Sequence, residues 1–291
     1  MCFRCLFRCY KLCRRVPDSV SRHLCRARET VDILDLEIGE AVHDLDLEVR
    51  EAVHNFPFAG CIGETVHDLH PEVTMQVFQK KDAVLCGIDE VLAVLKVATG
   101  RYTDYDKAYK LFDKMIDLKS KARQQFIGNH KAYLNAIEQK MEVSGQLDEL
   151  WENGFDQLKV KALHDGDHIA PWETVMHITG DASLFAHLET VYLGILARRT
   201  KIASNVRGVV DAANGKIVLY FPARFDHWAV QGGDGYAAYI GGATGVSTDA
   251  QAQWWGAKAS GTVPHALIAA VGGDTVKAIT LFGETSPDVD L

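Results

Sequence analysis

The chain is short of positive charge: 31 Lys and Arg against 39 Asp and Glu leave a net charge of −8. That balance gives no electrostatic footprint for nucleic acid, and no spaced basic–aromatic pattern replaces one. No apolar run reaches the roughly 20 residues that a membrane helix needs, so no membrane partner is expected. GxSxG, HExxH and P-loop strings do not occur. The glycines of "GGDGYAAYIGG" lack the GxGxxG order of a dinucleotide fold. Cysteine is scarce after residue 25: Cys2, Cys5, Cys9, Cys13 and Cys25 crowd the start, and Cys61 and Cys86 follow. A secreted disulfide scaffold would spread them, so a reduced, cytoplasmic body is expected.

What is present falls into three zones. Residues 1–28 hold eight Lys/Arg and one acid, Asp18, whereas residues 29–72 hold twelve acids and one base, Arg50. Cys2 and Cys5 form a CxxC, but the second pair that a structural zinc site needs is missing. "GEAVHDLDLEV" (39–49) repeats as "GETVHDLHPEV" (63–73) at eight of eleven positions. His43, His54 and His67 recur with it, yet Pro57 and Pro71 break any helix that could align them. Residues 1–72 are therefore expected to be a divergent, disordered leader without an assigned function.

From Val73 onward the texture is that of a folded domain. "VTMQVFQ" (73–79) reads as a strand, and Tyr105, Ala108, Tyr109, Phe112 and Ile116 recur at the spacing of an amphipathic helix. A second helix runs through "KAYLNAIEQKMEV". Beyond residue 170, helices over 183–200 and 202–213 are followed by a strand at 216–224, a helix near "GGDGYAAYIGG" and a strand at 243–248. Alternating strands and helices imply parallel βα units, with chemistry at the strands' C-terminal ends. Here those ends are Ala223–Arg224 and Ser247–Thr248.

Four places carry candidate chemistry. Arg224 ends a strand, where a guanidinium either grips a carboxylate or phosphate or pairs with a neighbour such as Asp226. His265 opens the helix of "GTVPHALIA", with Pro264 suited to its first position and Thr262 able to cap it. It either faces an anion there or serves packing and capping. Ser204 and Arg207 in "ASNVR" stand near the expected helix start at 202. "HDGDH" (164–168) reads as a polar turn, with a metal cluster as the sharper alternative. Glu173, His177, Asp181 and Glu189 follow it in sequence.

The strings "VFQKKDAVLCGIDEVL", "PWETVMHITGD", "HLETVYLGILARRTKIASNVR", "FPARFDHWAVQGGDGYAAYIGGATGVST" and "GTVPHALIAA" together resemble the nicotinate/quinolinate (type II) phosphoribosyltransferase family. The resemblance runs from about Val73 to the end. It implies an α/β fold: an N-terminal α/β sandwich (73–170, with a helical insert) and an incomplete, parallel, TIM-like α/β barrel (171–291). It also implies a homodimer that uses phosphoribosyl pyrophosphate and a pyridine carboxylate, with Mg²⁺ bound to the pyrophosphate.

Residue by residue, Arg224 in "FPARF" resembles the first arginine of the family's Phe-Gly-x-Arg-Arg strand end, and Phe225 replaces the second. His265 in "GTVPHAL" resembles the histidine that takes phosphate from ATP in nicotinate enzymes, although Ala266 replaces the usual Glu or Ser. Ser204, Arg207 and Thr262 fall at substrate-lining positions. The resemblance implies nicotinate mononucleotide formation in NAD biosynthesis. The alternatives are a decarboxylating quinolinate enzyme or an inactive fragment. A complete barrel takes about 250 residues, so a barrel truncated at the C-terminus is expected. Quinolinate's second carboxylate wants more cations than Arg224 supplies, which favours nicotinate.

Overall fold

The computed structural model describes residues 4–8, 70–261 and 263–286. His43, His54 and His67 fall outside these residues, as do all the leader cysteines except Cys5. Within the expected disordered leader, the backbone of Arg4–Arg8 forms a strand, β1, antiparallel to β2 (Glu72–Phe78).

The chain divides into two compact units between Arg198 and Arg199. The first contains a four-stranded antiparallel sheet in the order β1, β2, β8, β6. Its short partners are β3 (Ala83–Val84) with β7 (His168–Ile169), and β4 (Gly100–Tyr102) with β5 (Trp151–Asn153). Composition suggests a boundary near residue 171. Instead β8 (Thr174–Asp181) hydrogen-bonds along both β2 and β6 (Lys159–Ala162), which carries the first unit past that point.

Strand alternation sorts this sheet into two faces. Met75 and Val77 of β2, Met176 and Ile178 of β8 and Val160 of β6 point into the core. Thr74 and Thr179 share a 2.9 Å hydrogen bond on the other face. Helix α1 (Ile88–Ala98) closes the core with Ile88, Val91, Leu92, Val94 and Leu95. Gly87 caps it at φ 105°, a left-handed conformation that glycine adopts without steric cost.

Between β4 and β5 stands a helical hairpin of α2 (Tyr105–Gln125) and α3 (His130–Asp148). The side chain of Asp104 caps α2 at Lys107 N–H, and Asn129 caps α3 at Ala132 N–H. The helix expected at 105–116 is present. Its buried stripe is Ala108, Leu118 and Ala122, while Tyr109 and Ile116 are 41% and 48% exposed. Spacing alone could not tell which side of this wide apolar face meets α3.

Helix α4 (Glu189–Ala212) is continuous where two helices were expected at 183–200 and 202–213. No proline or glycine interrupts 195–207, and Ser204 Oγ donates to the Thr200 carbonyl at 2.7 Å instead of breaking the helix. Tyr192 and Leu196 belong to the first unit's core.

Among its described residues the second unit holds one parallel strand pair, β9 (Leu219–Tyr220) and β10 (Gly245–Val246), with α5 (Gln231–Gly241) as the crossover. Short α6 (Asp249–Ala252), α7 (His265–Ala270) and α8 (Thr275–Thr285) follow. Val206 of α4 packs on Ala238 and Ala243. A Cβ at Gly241 would lie 2.6 Å from the Ala203 carbonyl, so the helices cross closely there.

Candidate functional site

Parallel neighbours need a crossover, and their C-terminal ends leave loops side by side. In the second unit the chain leaves β9 at Phe221 and β10 at Ser247. Ser247 N–H donates to the Tyr220 carbonyl at 3.1 Å, tying the two exits together.

The strand expected over 216–224 is only two residues long. Pro222 starts a turn instead, its carbonyl accepting from both Phe225 N–H (2.8 Å) and Asp226 N–H (3.1 Å). Arg224 therefore sits in an exposed turn beyond the strand. The alternative ion pair with Asp226 is not formed, and among the described residues the Arg224 side chain has no hydrogen-bonding or ionic partner. Phe225 is 87% and Trp228 75% exposed beside it in sequence, and His227 tilts against Trp228 with ring centroids 5.5 Å apart.

The turn rests on buried polar groups. Gln231, at the start of α5, is 7% exposed, and its Nε2 donates to the carbonyls of Ala223 (3.1 Å) and Asp226 (3.2 Å). Arg199 of α4 donates to Asp234 at 2.6 Å and to the Val230 carbonyl at 3.4 Å, and lies over the Trp254 ring at 5.6 Å. The glycines of "GGDG" make room for this packing. A Cβ on Gly233 would fall 2.0 Å from the Arg199 guanidinium carbon, and one on Gly235 would fall 2.1 Å from the Gln251 carbonyl.

After β10, Gln251 plays a similar part. Fully buried, its Oε1 accepts from Ser247 N–H (3.1 Å), Ser247 Oγ (2.7 Å) and Thr248 N–H (3.2 Å). No local motif marks Arg199, Gln231, Asp234 or Gln251 in the sequence. The available signal was a glycine run inside a helix, which implies close approach by a neighbour.

The other expected residues are placed differently. His265 is the first residue of α7, Pro264 is its cap instead of its first residue, and the histidine is exposed. Among the described residues no hydrogen bond, ion pair or ring contact joins it to Arg224. Ser204 and Arg207 lie inside α4, not at a helix start, so the backbone there offers no free N–H groups. Arg207 lies beside Gly242, the cap of α5. Thr262 lies outside the described residues.

In the first unit, "HDGDH" is a turn: His164 N–H donates to Asp167 Oδ2 at 3.0 Å. Asp165 Oδ1 accepts from Ile88 N–H at 2.8 Å and so caps α1, while its Oδ2 is buried without a partner. Burial pushes this carboxyl up to about 7, against the pull of Ile88 N–H and with the charge of Asp89 adding to the rise. Burial and nearby Lys161 lower His177. Burial works to raise Asp181, but its hydrogen bonds to His70 and Ser183 outweigh that and hold it below the usual range. Among the described residues no cluster of three or more His, Cys, Asp or Glu could hold a metal ion. No helix among them is long and apolar enough to cross a membrane.

Residues 128–200, from the turn between α2 and α3 into α4, match a family profile described as quinolinate phosphoribosyl transferase, N-terminal domain. Among solved structures, the chain is similar to nicotinate-nucleotide pyrophosphorylase from Pyrococcus furiosus. The two are 25% identical with a TM-score of 0.55, over 86% of this chain and 50% of that one. The fold of NadC from Streptococcus pyogenes is also similar, with 17% identity, a TM-score of 0.51, and 86% and 67% of the two chains covered. The chain thus spans about half the length of the Pyrococcus protein. No curated protein sequence matches it.

Proposed function

We propose that this chain, a relative of the nicotinate/quinolinate phosphoribosyltransferases, takes part in phosphoribosyl transfer to a pyridine carboxylate, with nicotinate as the acceptor. The observation that carries this reading is the turn after β9. It presents an unpaired guanidinium together with two largely exposed aromatic rings, Phe225 and Trp228. Exposed Phe and Trp cost solvation unless a flat apolar partner covers them, and a pyridine ring is such a partner. The fixed fork of Arg224 suits the ring's carboxylate through two parallel N–H donors.

In the proposed reaction the pyridine nitrogen's lone pair attacks C1 of phosphoribosyl pyrophosphate. The C1–O bond breaks, and pyrophosphate leaves with the bonding electrons. Little covalent help is needed: the protein positions the nucleophile and stabilises the charge on the leaving group. Arg224 and the aromatic rings do the positioning. Mg²⁺ belongs to this proposal as the counter-ion that phosphoribosyl pyrophosphate brings. Quinolinate's second carboxylate would need another cation, and Phe225 stands beside Arg224 in the turn.

His265 belongs to the proposal as a phosphate acceptor that couples ATP to the transfer. Its exposed position at the start of α7 leaves the imidazole open to a nucleotide. A homodimer is part of the same proposal and is read from the mass in solution.

Incubating the full chain with phosphoribosyl pyrophosphate, Mg²⁺ and either nicotinate or quinolinate, with and without ATP, tests the reading. Nicotinate mononucleotide and pyrophosphate are the expected products, with turnover stimulated by ATP and the stimulation lost in His265→Ala. Mononucleotide from quinolinate alone, with release of CO₂, would reassign the substrate. No mononucleotide under any condition would favour an inactive fragment.

A further inference from the structure

We infer that Gln231 is the positioning residue for Arg224: its buried amide bridges the two carbonyls that bracket the Arg224 turn. The inference rests on the reading of Arg224 as the carboxylate grip, and it names what holds that grip in place.

Apart from buried Pro222 at its start, the turn has little else to hold it. Phe225 and Trp228 are 87% and 75% exposed, so burial of these rings does not fix the loop. Within the turn, only the Phe225 and Asp226 N–H groups are tied, both to Pro222. Holding such a loop in one conformation costs conformational entropy for every residue ordered. Gln231 opposes that cost from outside the turn. One nitrogen carries two N–H donors in a plane, and here one reaches Ala223 and the other Asp226, the residues on either side of Arg224–Phe225. A hydroxyl has one donor, and an ammonium would bury a charge.

The anchor is itself anchored. Gln231 opens α5, and the preceding Val230 carbonyl accepts from Arg199, whose guanidinium is pinned to Asp234 one helical turn on. A line of buried polar contacts thus runs from α4 through the first turn of α5 to the exposed arginine. A side chain pre-set in its binding geometry binds more tightly because less freedom is lost on association.

Limited trypsin digestion of the full chain, with the Arg224–Phe225 bond followed by mass spectrometry, tests the inference. Gln231→Met keeps length without donors, and Gln231→Glu keeps shape while turning donors into acceptors. In both variants cleavage at Arg224 is expected to speed up at least about fivefold, the factor for losing two ordinary hydrogen bonds. Cleavage after Lys121 and Arg123 in α2 should not change. The dissociation constant for nicotinate should rise by a similar factor in Gln231→Met, and not rise further when Gln231→Met is added to Arg224→Ala.

Unchanged cleavage at Arg224, or equal acceleration at every site, overturns the inference. So do additive losses of affinity in the double variant. If the unmutated chain binds no nicotinate, the reading of Arg224 fails instead, and the digestion still decides whether Gln231 holds the turn.

Discussion

Arg199 and Asp234 meet at 2.6 Å with side chains only 9% and 0% exposed, inside the unit that carries the Arg224 turn. Removing one partner of such a pair leaves an uncompensated buried charge, which costs about 3–5 kcal/mol. Asp234→Ala should therefore lower the urea midpoint substantially with little change in slope. A loss below about 1 kcal/mol would show that water reaches the guanidinium and that the pair does not anchor α5.

The glycines of α5 and α4 should behave in opposite ways. A Cβ on Gly235 meets the backbone carbonyl of Gln251 at 2.1 Å, where nothing can yield cheaply, whereas one on Gly208 meets nothing within 4 Å. Gly235→Ala is expected to destabilise by about 1–3 kcal/mol through overpacking. Gly208→Ala should stabilise by about 0.5–1 kcal/mol by restricting the unfolded chain and favouring helix. Thermal melts of the two variants check both signs.

Stability should fall as pH rises because of Asp165. Its folded-state value of about 7 lies above the ordinary 3.8, so the fold disfavours the ionised form. The contribution is fully favourable below about pH 4, is lost progressively towards pH 7, and is constant above that. At about 1.4 kcal/mol per unit the span sets an upper limit of roughly 4 kcal/mol. Asp165→Asn keeps an oxygen to accept from Ile88 N–H and removes the titration. Urea midpoints at pH 5 and 8 should differ less in this variant than in the parent, and an identical pH slope in both would remove Asp165 as the cause.

Much of this frame is legible in residue patterns. "VTMQVFQ" reads as a strand, and β2 occupies 72–78; the alternation of "KIVLYF" with "GGDGYAAYIGG" and "ATGVST" yields the β9–α5–β10 unit. Local sequence signals mislead where the backbone overrules them. Ser204 suggested a helix start, but its hydroxyl bonds back to Thr200 and the helix continues. Pro222 ended the strand earlier than its apolar run implied, which moved Arg224 from a strand end into a turn. Contacts between residues distant in sequence, such as Arg199 with Asp234, carry no periodicity. A "GGDG" run inside a helix is compatible with close packing but names no neighbour.

The central claim is that Arg224 recognises a ring carboxylate, and comparing nicotinate with nicotinamide tests it most directly. The two ligands share the pyridine ring and differ in charge, so a charge-assisted bidentate contact should favour nicotinate by at least about tenfold. Arg224→Ala should erase that preference while leaving the melting temperature within about 1 °C, because the side chain has no partner to lose. Equal affinity of the parent chain for both ligands, or a preference that survives Arg224→Ala, would contradict it.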